Sequence, residues 1–360
     1  MPRSLAMDNP APDNPAPENP ATILAGESEL IFCDDTMPGI TRRKVPHGWG
    51  YWDVEGNRIK DRDEIERLNK IALPPAYENA WFSPFANGHI LATGTDAKGR
   101  KQYRYHPEFR SHRECEKFDS CGSFGRLLPL VRKRVQSDLR SPRLGRERAI
   151  ASVIRLLDTG GIRVGNESYA KTNKSFGATT LRKRHARLEG QVLKLRFKAK
   201  SGQVREMRIT DKSLIRFVRR MQDLPGQHLF RYVGDDGEAC PVTSSDVNAY
   251  LRETMGGPYT AKHFRTWTAS AFGFELLASA QGKLPLKQLL ADISERLGNT
   301  PAIARKSYVH PVVLALAADQ AEWRKTLRLP RATQWLSRYE RGLIALLEES
   351  PSAGELLRAA

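Results

Sequence analysis

The hydrophobic period of this chain changes near residue 112, and a chain that changes period cannot form one uniform layer. From about 30 to 105 the apolar and aromatic clusters are short. Gly48-Trp49-Gly50-Tyr51-Trp52 and His89-Ile90-Leu91-Ala92-Thr93 are separated by Gly56-Asn57, Pro74-Pro75, Asn87-Gly88 and Lys98-Gly99, the punctuation of strands and turns. One short helix over about 62–70 fits the spacing of Ile65 and Leu68. Beyond 112 the period lengthens. Ile150, Val153, Ile154 and Leu157 fall on one helical face, stopped by Gly160-Gly161, and further helices are predicted over 211–222, 244–255, 261–280 and 286–297. Between them, 191–198 and 203–209 alternate (Val192, Leu195, Phe197; Val204, Met207, Ile209) around Lys200-Ser201-Gly202, the pattern of a hairpin. Thr300-Pro301 reads as an N-cap followed by Pro at the first helical position.

The expected fold class is therefore α+β, in three stretches. Residues 1–29 contain DNPAPDNPAPENP, whose Pro density sustains neither helix nor central strand, and form a disordered arm. Residues 30–112 form a small β-rich domain, and residues 113–360 a larger, mainly helical domain with an inserted β-hairpin.

Charge narrows the partner. The chain carries a formal +17, yet its first 35 residues hold one basic and seven acidic side chains, which leaves +23 to the rest. A body this basic suits a polyanion, whose condensed counterions are released as phosphates are neutralised. No apolar run approaches the ~20 residues of a membrane span. Cys33, Cys115, Cys121 and Cys240 show no CxxC spacing, which argues against a disulfide framework or a zinc site and for a reducing, cytoplasmic setting. No P-loop and no metal-binding carboxylate cluster stands out.

Several polar residues sit at sharp punctuation. Arg163 follows the Gly160-Gly161 break, Lys200 sits at the hairpin tip, Arg265 closes Lys262-His263-Phe264-Arg265, and Asn299 and Tyr308 flank the short helix after Gly298. Taken singly each has a plain structural reading: a solvated Arg, or a half-buried Tyr with its hydroxyl satisfied. Together and in order they matter. The set resembles the type IB DNA topoisomerases, in their bacterial and poxvirus-like branch, from near Phe32 through most of the chain. The resemblance is carried by Gly94-Thr95-Asp96-Ala97-Lys98-Gly99-Arg100-Lys101-Gln102-Tyr103-Arg104-Tyr105, by Gly161-Ile162-Arg163-Val164-Gly165-Asn166 with Tyr169, and by Thr172-Asn173-Lys174-Ser175-Phe176-Gly177. Lys262-x-x-Arg265 and Gly298-Asn299-Thr300-Pro301 followed by Tyr308 complete it.

The resemblance implies a catalytic domain of the tyrosine recombinase/topoisomerase IB type. It also implies relaxation of supercoiled duplex DNA through a transient 3′-phosphotyrosine linkage, without ATP or metal. Tyr308 would be the nucleophile, assisted by Arg163, Lys200, Arg265 and Asn299. Poxvirus relatives carry His where Asn299 stands; both side chains donate a hydrogen bond. His263 is expected to be bonded to backbone, and His310 to lie at the surface. Arg100, Lys101, Gln102, Tyr103, Tyr105 and Tyr169 would face duplex DNA, the two domains forming a clamp. The enzyme would act as a monomer at the nucleoid. Strand alternation puts Lys101, Tyr103 and Tyr105 on one face; the plain alternative is an edge strand blunted by charge. Two other functions compete. Tyrosine recombinases show His-x-x-Arg where this chain has Lys262-x-x-Arg265, and a non-catalytic DNA-binding protein gives no reason for Tyr308 just beyond Gly298-Asn299.

Overall fold

A computed structural model describes residues 30–358 apart from 224, 235 and 236. The arm expected over 1–29 lies outside the described residues. The chain divides into two compact units between Glu114 and Cys115.

The first unit is built on a five-stranded sheet: β1 (Ile40–Val45), β2 (Gly48–Trp52), β3 (Glu78–Phe82), β4 (Ile90–Thr95) and β5 (Lys101–Tyr105), in the order β2-β1-β3-β4-β5. Every pairing is antiparallel. One face buries Ile40, Tyr51, Phe82 and Ala92 against Leu68 of the helix α1 (Arg62–Lys70). Asp61 caps that helix by accepting from the Asp63 N–H, and Tyr51 donates to Asn69 Oδ1 at 2.8 Å. β5 is an edge strand, as the plain alternative anticipates, and it also carries the aromatic ladder described below.

A 34-residue helix, α2 (Pro107–Arg140), runs through the division point. The second unit then continues with α3 (Arg146–Gly160), α4 (Glu167–Asn173), α5 (Lys212–Gln222), α6 (Ser244–Met255), α7 (Ala261–Ser279), α8 (Leu286–Leu297) and α9 (Pro301–Ser307). It ends in α10 (Pro311–Leu316), α11 (Gln320–Thr326), α12 (Arg338–Glu349) and α13 (Ala353–Arg358). A three-stranded antiparallel sheet, β6 (Ala186–Glu189), β7 (Val192–Lys198) and β8 (Val204–Ile209), and a small ribbon, β9 (Arg231–Val233) with β10 (Ala239–Pro241), interrupt the helices.

The core of this unit is the apolar face of α3 closed by α7. Ile150, Val153, Ile154 and Leu157 are buried together with Phe264, Trp267 and Phe274. Arg132 of α2 braces the back of this layer: it bonds Asp158 of α3 and Glu340 of α12, while Trp267 Nε1 donates to Glu340 at 3.2 Å. Burial of three charges is tolerated here because each is met by an opposite charge and aligned donors. No described helix is long and apolar enough to cross a membrane.

The sheet corrects the sequence reading in one detail. Val192 and Val204 are not part of the inward series; Leu193, Leu195 and Phe197 fill it on β7, and Val204 is 54% exposed. On β8 the inward place beside Met207 is taken by Arg205, opposite Phe197.

Candidate active site

Arg163 is positioned by a close backbone approach. Ala178 N–H donates to the Arg163 carbonyl at 2.8 Å and Thr179 N–H to that of Val164 at 2.7 Å. Gly177 is required at this crossing, since a Cβ there would stand 2.6 Å from both the Arg163 oxygen and the Gly165 nitrogen. The Arg163 segment leaves α3 through Gly161, whose φ of +57° ends the helix in a left-handed turn. Phe176 N–H then donates to the Lys198 carbonyl at 2.8 Å, which joins this segment to the β7–β8 hairpin. Lys200 stands in a single helical turn at the hairpin tip, exposed.

Arg265 lies in the first two turns of α7, buried. Its Nη1 donates to the carbonyls of Gly161 and, at 3.1 Å, Leu297, the last residue of α8. Its guanidinium carbon lies 4.5 Å from the centroid of the Tyr308 ring. Asn299 follows directly from this helix end through Gly298 (φ +61°), its N–H donating to Ser294 O at 3.1 Å. Tyr308 ends α9, a helix opened by Thr300 and Pro301. The structure thus brings Arg163, Arg265 and Tyr308 together, with Asn299 two residues beyond the Leu297 carbonyl that Arg265 holds.

Electrostatics converge on the phenol. Burial alone would raise the pKa of Tyr308, but the charges of Arg265, Arg163 and Lys200 outweigh it, so the phenol is more acidic than an ordinary tyrosine. Desolvation lowers the Arg265 pKa to about 10, still a cation at neutral pH. The phenol feels this guanidinium in its pKa, yet no N–H is well aligned on it. Arg265 Nε and Nη2, and both amide atoms of Asn299, are buried without a well-formed hydrogen bond among the described residues. Neither the Arg163 guanidinium nor the Lys200 ammonium has a hydrogen bond or ion pair among the described residues. Unpartnered buried donors are costly. Those of Arg265, set against the Tyr308 ring, define a place for an anion with several acceptor oxygens. A cavity of about 560 Å³ lies among Arg132, Asp158, Trp267, Phe272, Arg296 and Trp335, and none of these five residues lines it.

Sequence reasoning missed three residues here. Ser270, fully buried one helical turn beyond Arg265, accepts from the His310 N–H at 3.0 Å and donates to the Tyr308 carbonyl at 3.4 Å. His310 is not a surface residue: it is 3% exposed, its Nδ1 accepts from the Val312 N–H, and burial lowers its pKa to about 4. Its neutral ring is needed to cap α10, directly after the tyrosine turn. Arg205 is the third. His263 behaves as expected, its Nδ1 accepting from the Thr260 N–H at 2.9 Å while its ring stacks on Phe124.

In the first unit, Lys101, Tyr103 and Tyr105 share a face. The two phenol rings stack at 5.8 Å between centroids, and the Lys101 ammonium is 5.7 Å from the Tyr103 ring. Asp96 organises the preceding turn, bonding Arg100 Nε at 2.8 Å and Gln102 Nε2 at 3.0 Å. Lys101 Nζ is held 2.5 Å from Asp35. In the second unit Tyr169 is 47% exposed on α4, whose N-cap is Asn166.

The cluster offers a place for an anion, and comparison with known proteins makes the class specific. Residues 106–307 match the family model of the eukaryotic DNA topoisomerase I catalytic core, and residues 48–96 that of the bacterial DNA topoisomerase IB N-terminal domain. The chain is 33% identical over 301 residues to the DNA topoisomerase 1B of Acanthamoeba polyphaga mimivirus, covering 80% of this chain and 90% of that one. It is 20% identical over 270 residues to the DNA topoisomerase 1B of Vaccinia virus (strain Copenhagen), covering 72% and 84%. The chain belongs to the type IB DNA topoisomerases. Within them it falls in the bacterial and poxvirus-like branch, and it is an isomerase acting on DNA. Arg163, Lys200, Arg265 and Asn299 fall inside the core match; Tyr308 is the next residue after it, and residues 100–105 lie between the two matches.

Proposed function

We propose that Tyr308 is the nucleophile of DNA relaxation and that Arg163, Arg265, Asn299 and Lys200 serve the same phosphoryl transfer. The phenolic oxygen attacks a backbone phosphorus; a P–O bond to tyrosine forms as the P–O5′ bond breaks, leaving a 3′-phosphotyrosine and a 5′-hydroxyl. The phenol proton passes to solvent. Lys200 gives a proton to the departing 5′ oxygen and takes it back on resealing, as a general acid and base must. Arg163 and Arg265 grip the non-bridging oxygens with planar, permanently charged forks, and the Asn299 amide adds a neutral donor. One phosphoester replaces another, so resealing needs no nucleotide, and the fixed guanidinium charges supply the stabilisation a metal would otherwise give.

The observation that carries this reading is the buried Arg265 guanidinium, two of whose nitrogens lack a well-formed hydrogen bond, set against the ring of an acidified phenol. Arg100, Lys101, Gln102, Tyr103, Tyr105 and Tyr169 are proposed as DNA contacts, with the long polar side chains reaching phosphates and base edges. In this reading residues 1–29 are an acidic arm, 30–112 the DNA-binding domain, and 113–360 a recombinase-type catalytic domain into which the Lys200 hairpin is inserted. We read the enzyme as a monomer that acts on supercoiled duplex in the nucleoid of the cytoplasm. Tyr308→Phe should abolish relaxation of positively and negatively supercoiled plasmid, in chelator without ATP, while duplex binding stays within a few-fold of wild type. Persistent relaxation by that variant would overturn the assignment.

A further inference from the structure

We infer that Arg205 is a positioning residue for Lys200: its guanidinium latches the β7–β8 hairpin onto the C-terminal carbonyls of α8 and so holds the hairpin tip at the reacting phosphate. The functional half of this rests on Lys200 being the general acid. Arg205 occupies an inward position on β8 where the strand pattern calls for an apolar side chain. Its Nη1 donates to the Glu295 carbonyl at 2.5 Å and its Nη2 to that of Arg296. The next carbonyl, Leu297, is taken by Arg265. The last carbonyls of a helix have no partner within it, and they carry the negative end of its dipole. Here the hairpin and the buried active-site arginine divide that helix end between them.

The choice of side chain fits the task. A planar fork can bond two successive carbonyls at once, which an ammonium on a flexible stem does not hold in one geometry. Gly298 makes room for it: besides its left-handed φ, a Cβ there would meet Arg205 Cδ and Nη1 at 3.1 Å. Burial and the cations of Arg296 and Arg163 oppose the charge of Arg205, while Glu295 and the negative helix end favour it. Without the latch, the tip is tied by its own strand pairing and by the Phe176–Lys198 backbone bond. A displacement of the order of 1 Å at a reacting group costs about 100-fold.

The test compares cleavage of ordinary duplex with cleavage of duplex whose scissile 5′ bridging oxygen is sulfur, a leaving group that needs no proton. Arg205→Ala should cleave ordinary DNA about 100-fold more slowly and recover most of that loss on the sulfur substrate. Arg205→Lys should be intermediate, and Arg205→Ala combined with Lys200→Ala should be no slower than Lys200→Ala alone. Amide hydrogen exchange at residues 199–203 should quicken in Arg205→Ala while exchange in α3 and α7 does not change. A defect equally large on both substrates, or an additive double variant, would overturn the inference, as would unchanged exchange at the tip. If Lys200→Ala is itself not rescued by sulfur, the general-acid reading fails, and the exchange measurement still decides whether Arg205 is the latch.

Discussion

Tyr308 is a residue at which opposing electrostatic effects meet. Removal from water favours the neutral phenol; three cations favour the phenolate and prevail. Attack requires loss of the phenol proton, so the cleavage rate should climb about tenfold per pH unit and flatten above the phenol pKa, which lies below the ordinary value of about 10. Arg265→Gln removes the nearest charge. Its single-turnover pH profile should therefore bend at a higher pH than wild type, in addition to being slower throughout. An unshifted inflection would mean that Arg265 does not act on the phenol. The five proposed site residues stand out in the sequence as an ordered set that resembles a family; taken singly, each follows a Gly break, a turn or a cap and has a plain structural reading. Ser270 and His310 do not stand out, since what makes them matter is a backbone group brought to them by tertiary packing.

The elements were legible where local rules terminate them. α3 and α8 both end at a left-handed glycine, and α9 begins at Thr300-Pro301, as the sequence indicates. α2 was not anticipated as one element. Gly122, Gly125 and Pro129 interrupt its pattern, yet Phe118, Cys121, Phe124, Leu128 and Val131 are buried along a single face, and Gly125 is demanded by the Trp267 ring packed over it. Tertiary packing overrides propensity there. β6 is four residues long and gives no clear periodic signal. The crossing of the Arg163 segment with Gly177 is the element-scale feature most exposed to a test. An added Cβ meets backbone on both sides, which no side-chain rotation relieves. Gly177→Ala should cost about 1–3 kcal/mol in chemical denaturation and slow cleavage at least about tenfold by moving Arg163. Gly282→Ala, which meets nothing within 4 Å, should change stability by less than about 0.5 kcal/mol. Equal behaviour of the two variants would show that the crossing does not hold Arg163.

For the whole molecule, charge is the property that composition alone made legible, and it sets the response to salt. With +23 carried outside the first 35 residues, many phosphates are within reach of Lys and Arg, and each one neutralised releases counterions from the duplex. Six or more such contacts imply a slope of log K against log salt of about −5 or steeper, measured by titration of a non-cleavable duplex. The charge is not all available, however. Arg132 is consumed inside the fold by Asp158 and Glu340, Arg205 by helix carbonyls, and Lys101 meets Asp35 before it can meet a phosphate. Lys101→Ala should therefore flatten the slope by less than the full unit expected of an unengaged phosphate contact. Tyr308→Phe should leave it unchanged, because the phenol carries no cation to exchange. A slope near zero for the wild-type chain would mean that its positive charge does not face the DNA backbone, and the assignment of Arg100 and Lys101 as DNA contacts would fall with it.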